Sequence, residues 1–370
     1  MSDEAKGRMI LLAAGMATYF LMGALQAVYG PALPVLSRET GRSISEVSML
    51  FSVHWIGSAA GVAAMFALGN RMTPRLSVLS LACGAGLLGA GLGWSVTLLG
   101  AGLAGLGQGC AAVVFNPRLL ALFGRRGPAM LSLINALFGA GAILAPLAFV
   151  AVGGAYGLVF LALGAALLVV VLGAQDVGGA PPAQSASALR PDWVILGLGA
   201  FGIGFEASLI GLGPTALIRA GASEAHAAEL LSAFFVAFLL ARVALTLGAH
   251  LIAPFLLYLI SVAGVAGCMA AAVVLPPDWL FVLAGAFAAT IFPGYFVEGM
   301  ARMGNGARVA PLVVAGGLAG GIVMPWVLAR LVEDMGPRGF FAVMAGLALA
   351  VTLAAGLVLL LRAAPARRRA

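Results

Sequence analysis

Runs of about 20 apolar residues recur along the whole chain, and they constrain its fold more than any other feature. A run of this length crosses the hydrocarbon core of a bilayer as one helix. Because lipid offers no hydrogen-bond partners, a spanning chain must form helices or a closed barrel. These runs are continuous and do not alternate between apolar and polar residues, which excludes a barrel. The sequence therefore predicts an all-α membrane protein.

The composition supports this class. Of the 370 residues, 62% are hydrophobic and 9% are charged, whereas a soluble domain carries about 25% charged residues. The net charge of +7 comes largely from arginines in short loops between the apolar runs, a distribution that argues against nucleic-acid binding. Cys83, Cys110 and Cys268 lie inside apolar runs without CxxC spacing, so we expect packing residues, not disulfides or metal ligands.

Twelve spans fit the apolar runs. They lie near 9–34, 44–68, 75–94, 97–121, 128–150, 154–174, 192–213, 226–248, 252–275, 279–302, 308–331 and 339–362. The long polar stretch "AQDVGGAPPAQSASALRPD" is rich in Pro, Ala, Ser and Gly and reads as a flexible linker. The predicted domains are a six-helix bundle over 1–174, a cytoplasmic linker over 175–191 and a second six-helix bundle over 192–370.

The distribution of Lys and Arg predicts the orientation in the membrane. With the N-terminus in the cytoplasm, fifteen of the 20 Lys and Arg residues fall on the cytoplasmic side and five on the other side. Both termini and the linker are therefore expected in the cytoplasm. We further expect the protein to lie in the inner membrane of a bacterium as a monomer. The first apolar run lacks a convincing cleavage site, so we expect a retained helix and not a signal peptide.

The two halves repeat several features at matching positions. Spans 1 and 7 each carry Gly-Pro near one end and a polar residue further in, Gln26 in the first and Glu206 in the second. Spans 5 and 11 each carry Gly five residues before Pro, and spans 4 and 10 carry Phe-Asn-Pro and Phe-Pro. These repeats indicate a duplicated six-span unit. Transporters built from such repeats bind their substrate near the midplane, between the repeats.

Four stretches resemble the major facilitator superfamily, and most of all its fucose–proton symporter and sodium–glucose branch. They are "GPALPVLSRETGRSISEVSMLFSVHWIGSAAG", "GLGQGCAAVVFNP", "NALFGAGAILAP" and "GAFAATIFPGYF" with "AGGLAGGIVMP". The resemblance implies two pseudo-symmetric six-helix bundles that carry a small-molecule substrate by alternating access. No nucleophile–base or metal constellation is visible in the sequence, so we expect no enzyme activity and no cofactor apart from a proton or sodium ion as the coupling ion.

The sequence departs from this branch where its acids lie. Fucose symporters carry an acid in span 1 and another in span 4, four residues before Asn-Pro. Here Ala112 holds the span 4 position, and span 1 offers only Gln26. Coupling between those two acids cannot operate in this chain, so any coupling must use a different residue.

Glu206 is the first candidate for that role. A charged side chain at the centre of a membrane helix costs roughly 2.5–3.5 kcal/mol on insertion scales. Gly202 lies four residues before Glu206 and Gly213 seven residues after it, so the acid shares a stripe of small residues that faces other helices or a cavity. The residue is predicted to couple transport to a proton or to bind substrate. An acid that only bonds between helices is the alternative.

Other polar and aromatic residues could line a substrate site. Neutral amides donate and accept hydrogen bonds without the cost of burying a charge, and aromatic rings stack on sugar rings. The predicted substrate-binding residues are Gln26, Tyr29, Gln108, Asn116, Asn135, Glu206, Phe234, Tyr295 and Trp326. Hydrogen bonding between helices is the alternative for the amides, and plain packing is the alternative for the aromatic residues.

His54 and four charged residues complete the candidates. His54 shares a face of span 2 with Gly57 and Gly61, so we expect it inside the bundle, as part of a proton path or packed against a carbonyl. Glu298 and Arg302 are four residues apart, which favours an ion pair on one helix. Arg118 and Arg242 are expected at a depth similar to that of Glu298 and Arg302, at the cytoplasmic end of the spans. A cytoplasmic gate, or alternatively simple membrane-flank anchoring, is predicted for Arg118, Arg242, Glu298 and Arg302.

Three transport functions fit these residues. The first is secondary active transport of a small polar, sugar-like solute, coupled to a proton or sodium gradient. The second is proton-driven export of amphipathic compounds. The third is import of a transition metal, although the fourteen methionines form no MxxxM or HxxxM pair on a span.

Overall fold

The computed structural model describes residues 3–68, 73–123, 127–174, 190–248, 252–304 and 309–367. Within these ranges the regular structure is helical. The helices are α1 (Asp3–Thr40), α2 (Ile44–Val47), α3 (Met49–Leu68), α4 (Pro74–Gly89), α5 (Trp94–Phe123), α6 (Gly127–Ala151), α7 (Tyr156–Gly173), α8 (Trp193–Arg219), α9 (Glu224–Gly248), α10 (Pro254–Val274), α11 (Asp278–Met303), α12 (Val309–Leu331) and α13 (Gly339–Arg367).

The predicted fold class is confirmed. Every helix except the four-residue α2 corresponds to one of the twelve predicted spans. Ten helices in the described part of the chain are long and apolar enough to cross a membrane. The other two, α4 and α7, are apolar but shorter. The predicted linker falls mostly on residues 175–189, which lie outside the described ranges.

Local sequence signals explain where several helices begin and end. Ser43 and Glu46 form a reciprocal capping box at the start of α2, and Thr73 caps α4 just before Pro74. The carboxylate of Asp192 accepts hydrogen bonds from the backbone N–H groups of Val194 and Ile195, which fixes the start of α8. Gly221 lies just past the end of α8 with a φ of 111°, a conformation that only glycine adopts without strain.

The chain divides into two compact units, Met1–Ala183 and Gln184–Ala370. In the first unit α1 packs on α6 and α3 packs on α5. Both contacts bring backbones together at glycine: a methyl group added to Gly141 would overlap the carbonyl of Phe20 on α1, and one added to Gly105 would overlap the carbonyl of His54 on α3. The GxxxG close approach predicted for span 2 is confirmed, because Gly57 and Gly61 lie against α5 in the same way.

The second unit repeats the first of these contacts. Here α8 packs on α12, and a methyl group added to Gly320 would overlap the carbonyl of Ala200. Gly141 and Gly320 are the two glycines that the sequence repeat matches, each five residues before a proline. The repeated motif therefore marks the same structural contact in both units.

Substituting Gly320 tests this packing. Gly320→Ala is expected to lower the unfolding temperature by several degrees, because overpacking costs about 1–3 kcal/mol and 1 kcal/mol shifts the midpoint by about 2–4 °C for a unit of this size. Gly197→Ala on α8 is the matched control, since an added methyl group there meets nothing within 4 Å. Thermal unfolding of the detergent-purified protein measures both. Equal midpoints for the two variants would contradict the close approach of α8 and α12.

Candidate functional site

Four polar side chains of the first unit form one hydrogen-bonded chain, which we call the Tyr29–Gln26 chain. The Tyr29 hydroxyl lies 3.2 Å from Nδ1 of His54. Nε2 of His54 lies 3.2 Å from Oε1 of Gln108, and Nε2 of Gln108 donates to Oε1 of Gln26 over 3.2 Å. The structure thus brings together four predicted site residues from α1, α3 and α5, and His54 is buried inside the unit as its helix face indicated.

Close contacts between α3 and α5 at glycine determine the position of the Tyr29–Gln26 chain. Gly105 meets the backbone of His54, and Gly109 meets the backbone of Ser58 one turn further along. With the two backbones this close, the imidazole reaches Gln108, three residues beyond Gly105. Tyr29 lies three residues after Gln26 and shares its face of α1, so both ends of the chain come from one helix.

Asn116 belongs to a second polar pair in the same unit. The hydroxyl of Tyr19 donates to Oδ1 of Asn116 over 2.7 Å and links α1 to α5. Tyr19 is absent from the sequence prediction, although it lies seven residues before Gln26 and therefore on the same face of α1. That spacing, applied outward from Gln26, is the signal that would have found it.

Asn135 and Arg118 are not among the four members of the Tyr29–Gln26 chain. Asn135 is exposed on α6. Arg118 is buried on α5, where Nη1 donates to the carbonyl of Val114 on its own helix over 3.0 Å. Their predicted roles in substrate binding and gating stay predictions.

Glu206 lies on α8 with one carboxylate oxygen, Oε2, buried and without a hydrogen-bond partner among the described residues. Its stripe packs as predicted: an added methyl group at Gly202 would meet Ile291 and Tyr258, and one at Gly213 would meet Phe281. The guanidinium of Arg242 on α9 attracts the carboxylate electrostatically. A buried carboxylate normally accepts hydrogen bonds or pairs with a cation, so Oε2 is an unsatisfied acceptor among the described residues.

Glu206 and Gln26 occupy equivalent positions in the two units. Phe20 meets Gly141 in the first unit and Ala200 meets Gly320 in the second. Gln26 follows Phe20 by six residues, and Glu206 follows Ala200 by six residues. The Gly-Pro motifs differ from this register, because Pro31 follows Gln26 by five residues and Pro214 follows Glu206 by eight. Helix packing, and not the Gly-Pro motif, aligns the two polar residues.

Two of the three aromatic residues predicted in the second unit are deeply packed. Phe234 is fully buried and stacks on Phe281 with a centroid separation of 5.1 Å. Tyr295 is also buried; its hydroxyl donates to the carbonyl of Val313, and its ring fills the space beside Gly199. These placements favour the packing alternative for both residues.

Trp326 differs from these two aromatic residues because it is only half-buried on α12. Its ring lies 4.2 Å from the guanidinium carbon of Arg330, in a cation–π contact.

The predicted ion pair between Glu298 and Arg302 is present, with Nε of Arg302 donating to the carboxylate. Arg302 also lies 3.5 Å from the carboxylate of Asp192, which caps α8, and 4.8 Å above the ring of Phe255. The sequence prediction missed Asp192, because it lies 110 residues from Arg302 along the chain. This ion cluster joins the start of α8 to the end of α11.

Arg242 does not belong to that cluster. Its Nε donates to the carbonyl of Ala289 over 3.3 Å, and its guanidinium carbon lies 4.6 Å from the ring centre of Phe238. Ala289 precedes Arg302 by thirteen residues on α11, which is about 20 Å at 1.5 Å per residue. The expectation that Arg242 lies at the depth of Arg302 is corrected accordingly: Arg242 contacts the middle of α11 and not its end.

A polar recess of about 450 Å³ lies elsewhere in the second unit, around the loop that joins α8 to α9. Its lining includes His226, Asp278 and Arg338, and the two ring nitrogens of His226 lie 3.4 Å from the carboxylate of Glu229 and 3.5 Å from that of Asp278. The described residues include no group of three or more His, Cys, Asp or Glu side chains arranged to bind a metal ion.

Comparison with solved structures identifies the fold. The nucleoside transporter NupG, in a point-mutant form, superposes with a TM-score of 0.75 at 13% identity, over 95% of this chain and 99% of that one. A D-xylose–proton symporter superposes with a TM-score of 0.69 at 15% identity, over 93% and 97%. The Escherichia coli fucose–proton symporter FucP superposes with a TM-score of 0.62 at 16% identity, over 95% and 99%. No family model and no curated protein sequence matches the chain.

These findings define the chain as a polytopic helical membrane protein whose described residues form two compact units with ten candidate spans and two shorter apolar helices. Its fold is that of the major facilitator superfamily. The predicted resemblance to that superfamily is confirmed at the level of the fold. NupG gives a higher TM-score than FucP, so the fold does not single out the fucose branch.

The stability of Glu206 variants separates a functional acid from a structural one. Glu206→Met is expected to raise the unfolding temperature, because it removes a buried polar group without a partner, which costs about 1–3 kcal/mol. Glu298→Gln is the matched control: it weakens a formed ion pair with Arg302 and is expected to lower the unfolding temperature. Thermal unfolding in detergent measures both variants. A lower unfolding temperature for Glu206→Met would indicate a structural role for the acid.

Proposed function

We propose that the protein is a secondary active transporter that moves a small polar, sugar-like solute across the bacterial cytoplasmic membrane by alternating access, coupled to a proton or sodium gradient. The observation that carries the proposal is the buried Oε2 of Glu206, which lies on a membrane span without a hydrogen-bond partner among the described residues.

The position of Glu206 supports a functional role for its carboxyl group. Ionisable groups within membrane spans are rare and mark ion pathways, proton relays or substrate sites. A proton, a sodium ion or a solute hydroxyl group would each satisfy the carboxylate oxygen. Arg242 attracts the carboxylate while its own Nε donates to Ala289. The acid could therefore exchange its ligand without leaving the arginine unpartnered.

The polar groups of the first unit support a hydroxylated solute. Tyr19, Tyr29 and Gln108 are buried and hydrogen-bonded to neighbouring side chains, which leaves the half-buried amides of Gln26 and Asn116 to face a solute. Such groups donate and accept hydrogen bonds without requiring a charge on the solute. The solved structures with this fold include proteins named as nucleoside, fucose–proton and xylose–proton transporters, which agrees with solutes of this kind.

The Asp192–Arg302–Glu298 cluster supports a gate on the cytoplasmic side. Arg302 is mostly buried and contacts both acids and the Phe255 ring, so water reaches these charges less than at an ordinary surface pair. We infer that the cluster holds the start of α8 against α11 in one state of the cycle and releases it in another.

Transport assays on Glu206→Gln test the proposal. A thermal-shift screen of monosaccharides and nucleosides on the purified protein first identifies a solute, which is then used in proteoliposomes with and without proton or sodium gradients. The variant is expected to lose gradient-driven accumulation and to keep solute exchange, because an amide still forms hydrogen bonds but cannot release a proton.

The exposed acid Glu229 supplies the matched control. Glu229→Gln is expected to accumulate the solute as the wild-type protein does. Undiminished accumulation by Glu206→Gln would rule out coupling through this residue. If the wild-type protein instead moved only amphipathic compounds outward, the export function would replace solute uptake.

A further inference from the structure

We propose that the Tyr29–Gln26 chain is a recognition element with a fixed direction. It orients the amide of Gln26 so that its NH2 group points away from the chain, and it thereby selects solutes that present an oxygen acceptor at this point. The inference rests on the proposed transport function. It assigns a contact role to Gln26, and positioning roles to Gln108, His54 and Tyr29.

The direction of the chain begins at Gln108. Its Oε1 lies 3.2 Å from Nε2 of His54, and an amide oxygen can only accept a hydrogen bond. Nε2 of His54 must therefore carry the proton. In the neutral imidazole Nδ1 then accepts, and the Tyr29 hydroxyl, 3.2 Å away, is its donor.

The other half of the Gln108 amide continues in the same direction. Its Nε2 donates to Oε1 of Gln26 over 3.2 Å. Gln26 thus uses its acceptor within the protein and keeps two N–H donors for another partner. Each residue donates to the next one, from Tyr29 through His54 and Gln108 to Gln26.

Burial indicates which end of the Tyr29–Gln26 chain is accessible to a ligand. Tyr29 is 0% exposed, His54 is 1% exposed and Gln108 is 8% exposed, whereas Gln26 is half-buried. The first three side chains are enclosed by protein and hold one another in place. Gln26 is the accessible end, and buried networks of this kind fix the orientation of the group that they support.

The opposite direction is a definite alternative. The backbone of Ala101 also lies within hydrogen-bonding reach of the His54 ring. A proton on Nδ1 directed at that carbonyl, with the Gln108 amide turned over, would reverse the chain. Gln26 would then present its oxygen and select solute donors.

Nitrogen NMR of His54 decides between these directions without any solute. The protein contains three histidines, so a His226→Gln/His250→Gln double variant labelled with ¹⁵N-histidine reports on His54 alone. We expect a protonated Nε2 and an unprotonated Nδ1. A proton on Nδ1 in the neutral ring would overturn the inference.

Transport of defined probes tests the recognition itself. The probes are L-fucose, D-xylose and uridine, each compared with its singly deoxygenated derivatives. Gln26→Met is expected to raise the half-saturating concentration of a carried probe about 10-fold, the effect of losing a hydrogen bond of about 1.4 kcal/mol. The maximal rate should change little, and one deoxy derivative, which lacks the accepted oxygen, should show no such increase.

Gln108→Met tests positioning, because it leaves Gln26 in place. Like Gln26→Met, it is expected to reduce the difference in half-saturating concentration between the probe and the deoxy derivative that lacks the accepted oxygen. Ser80→Ala is the matched control: it removes another hydrogen bond to α5, from Ser80 to the carbonyl of Leu103, and should leave the selectivity unchanged. Unchanged half-saturation for every probe in Gln26→Met, or unchanged selectivity in Gln108→Met, would contradict the inference.

Failure of the inference and failure of the proposed function give different results. A wild-type protein that carries none of the probes would count against the proposed function for this solute class. The His54 nitrogen signals would still decide the direction of the chain. Transport that persists with wild-type selectivity in both glutamine variants would refute only the recognition role.

Discussion

Close contact between helix backbones at glycine organises each unit of the protein. In lipid no hydrophobic force drives helices together, so packing and interhelical hydrogen bonds must hold them. Gly141 against Phe20 joins α1 to α6, Gly105 against His54 joins α3 to α5, and Gly320 joins α8 to α12. A larger residue at any of these glycines would collide with a backbone carbonyl. The positions of the few polar side chains follow from these contacts.

The same packing gives the two units different chemistry at equivalent positions. In the first unit, Gln26 ends a chain of satisfied hydrogen bonds. In the second unit, Glu206 keeps a buried oxygen without a partner among the described residues. Proteins tolerate such a costly group where function requires it, and stability elsewhere compensates. The two units thus share a helix contact, and the second carries a titratable group where the first carries an amide.

The sequence predicted the fold well because hydropathy and length alone define membrane spans. It also predicted that His54 is buried, since Gly57 and Gly61 mark the packed face of α3. The sequence did not predict the hydrogen bonds between helices. His54 and Gln108 are 54 residues apart, and no local sequence pattern indicates that their side chains are in contact. The predicted depth of Arg242 was wrong for a similar reason, because the packing of α9 on α11 sets which residues of the two helices lie side by side.

If Glu206 is the coupling acid of this transporter, solute binding changes its protonation, and the protons exchanged with the buffer can be measured. Calorimetric titration of the wild-type protein with a carried solute, in buffers of different ionisation enthalpy, measures the protons taken up or released on binding. Such an exchange is expected in the wild-type protein, and Glu206→Gln is expected to lose it while still binding the solute. The same proton exchange in both proteins would contradict this role of Glu206.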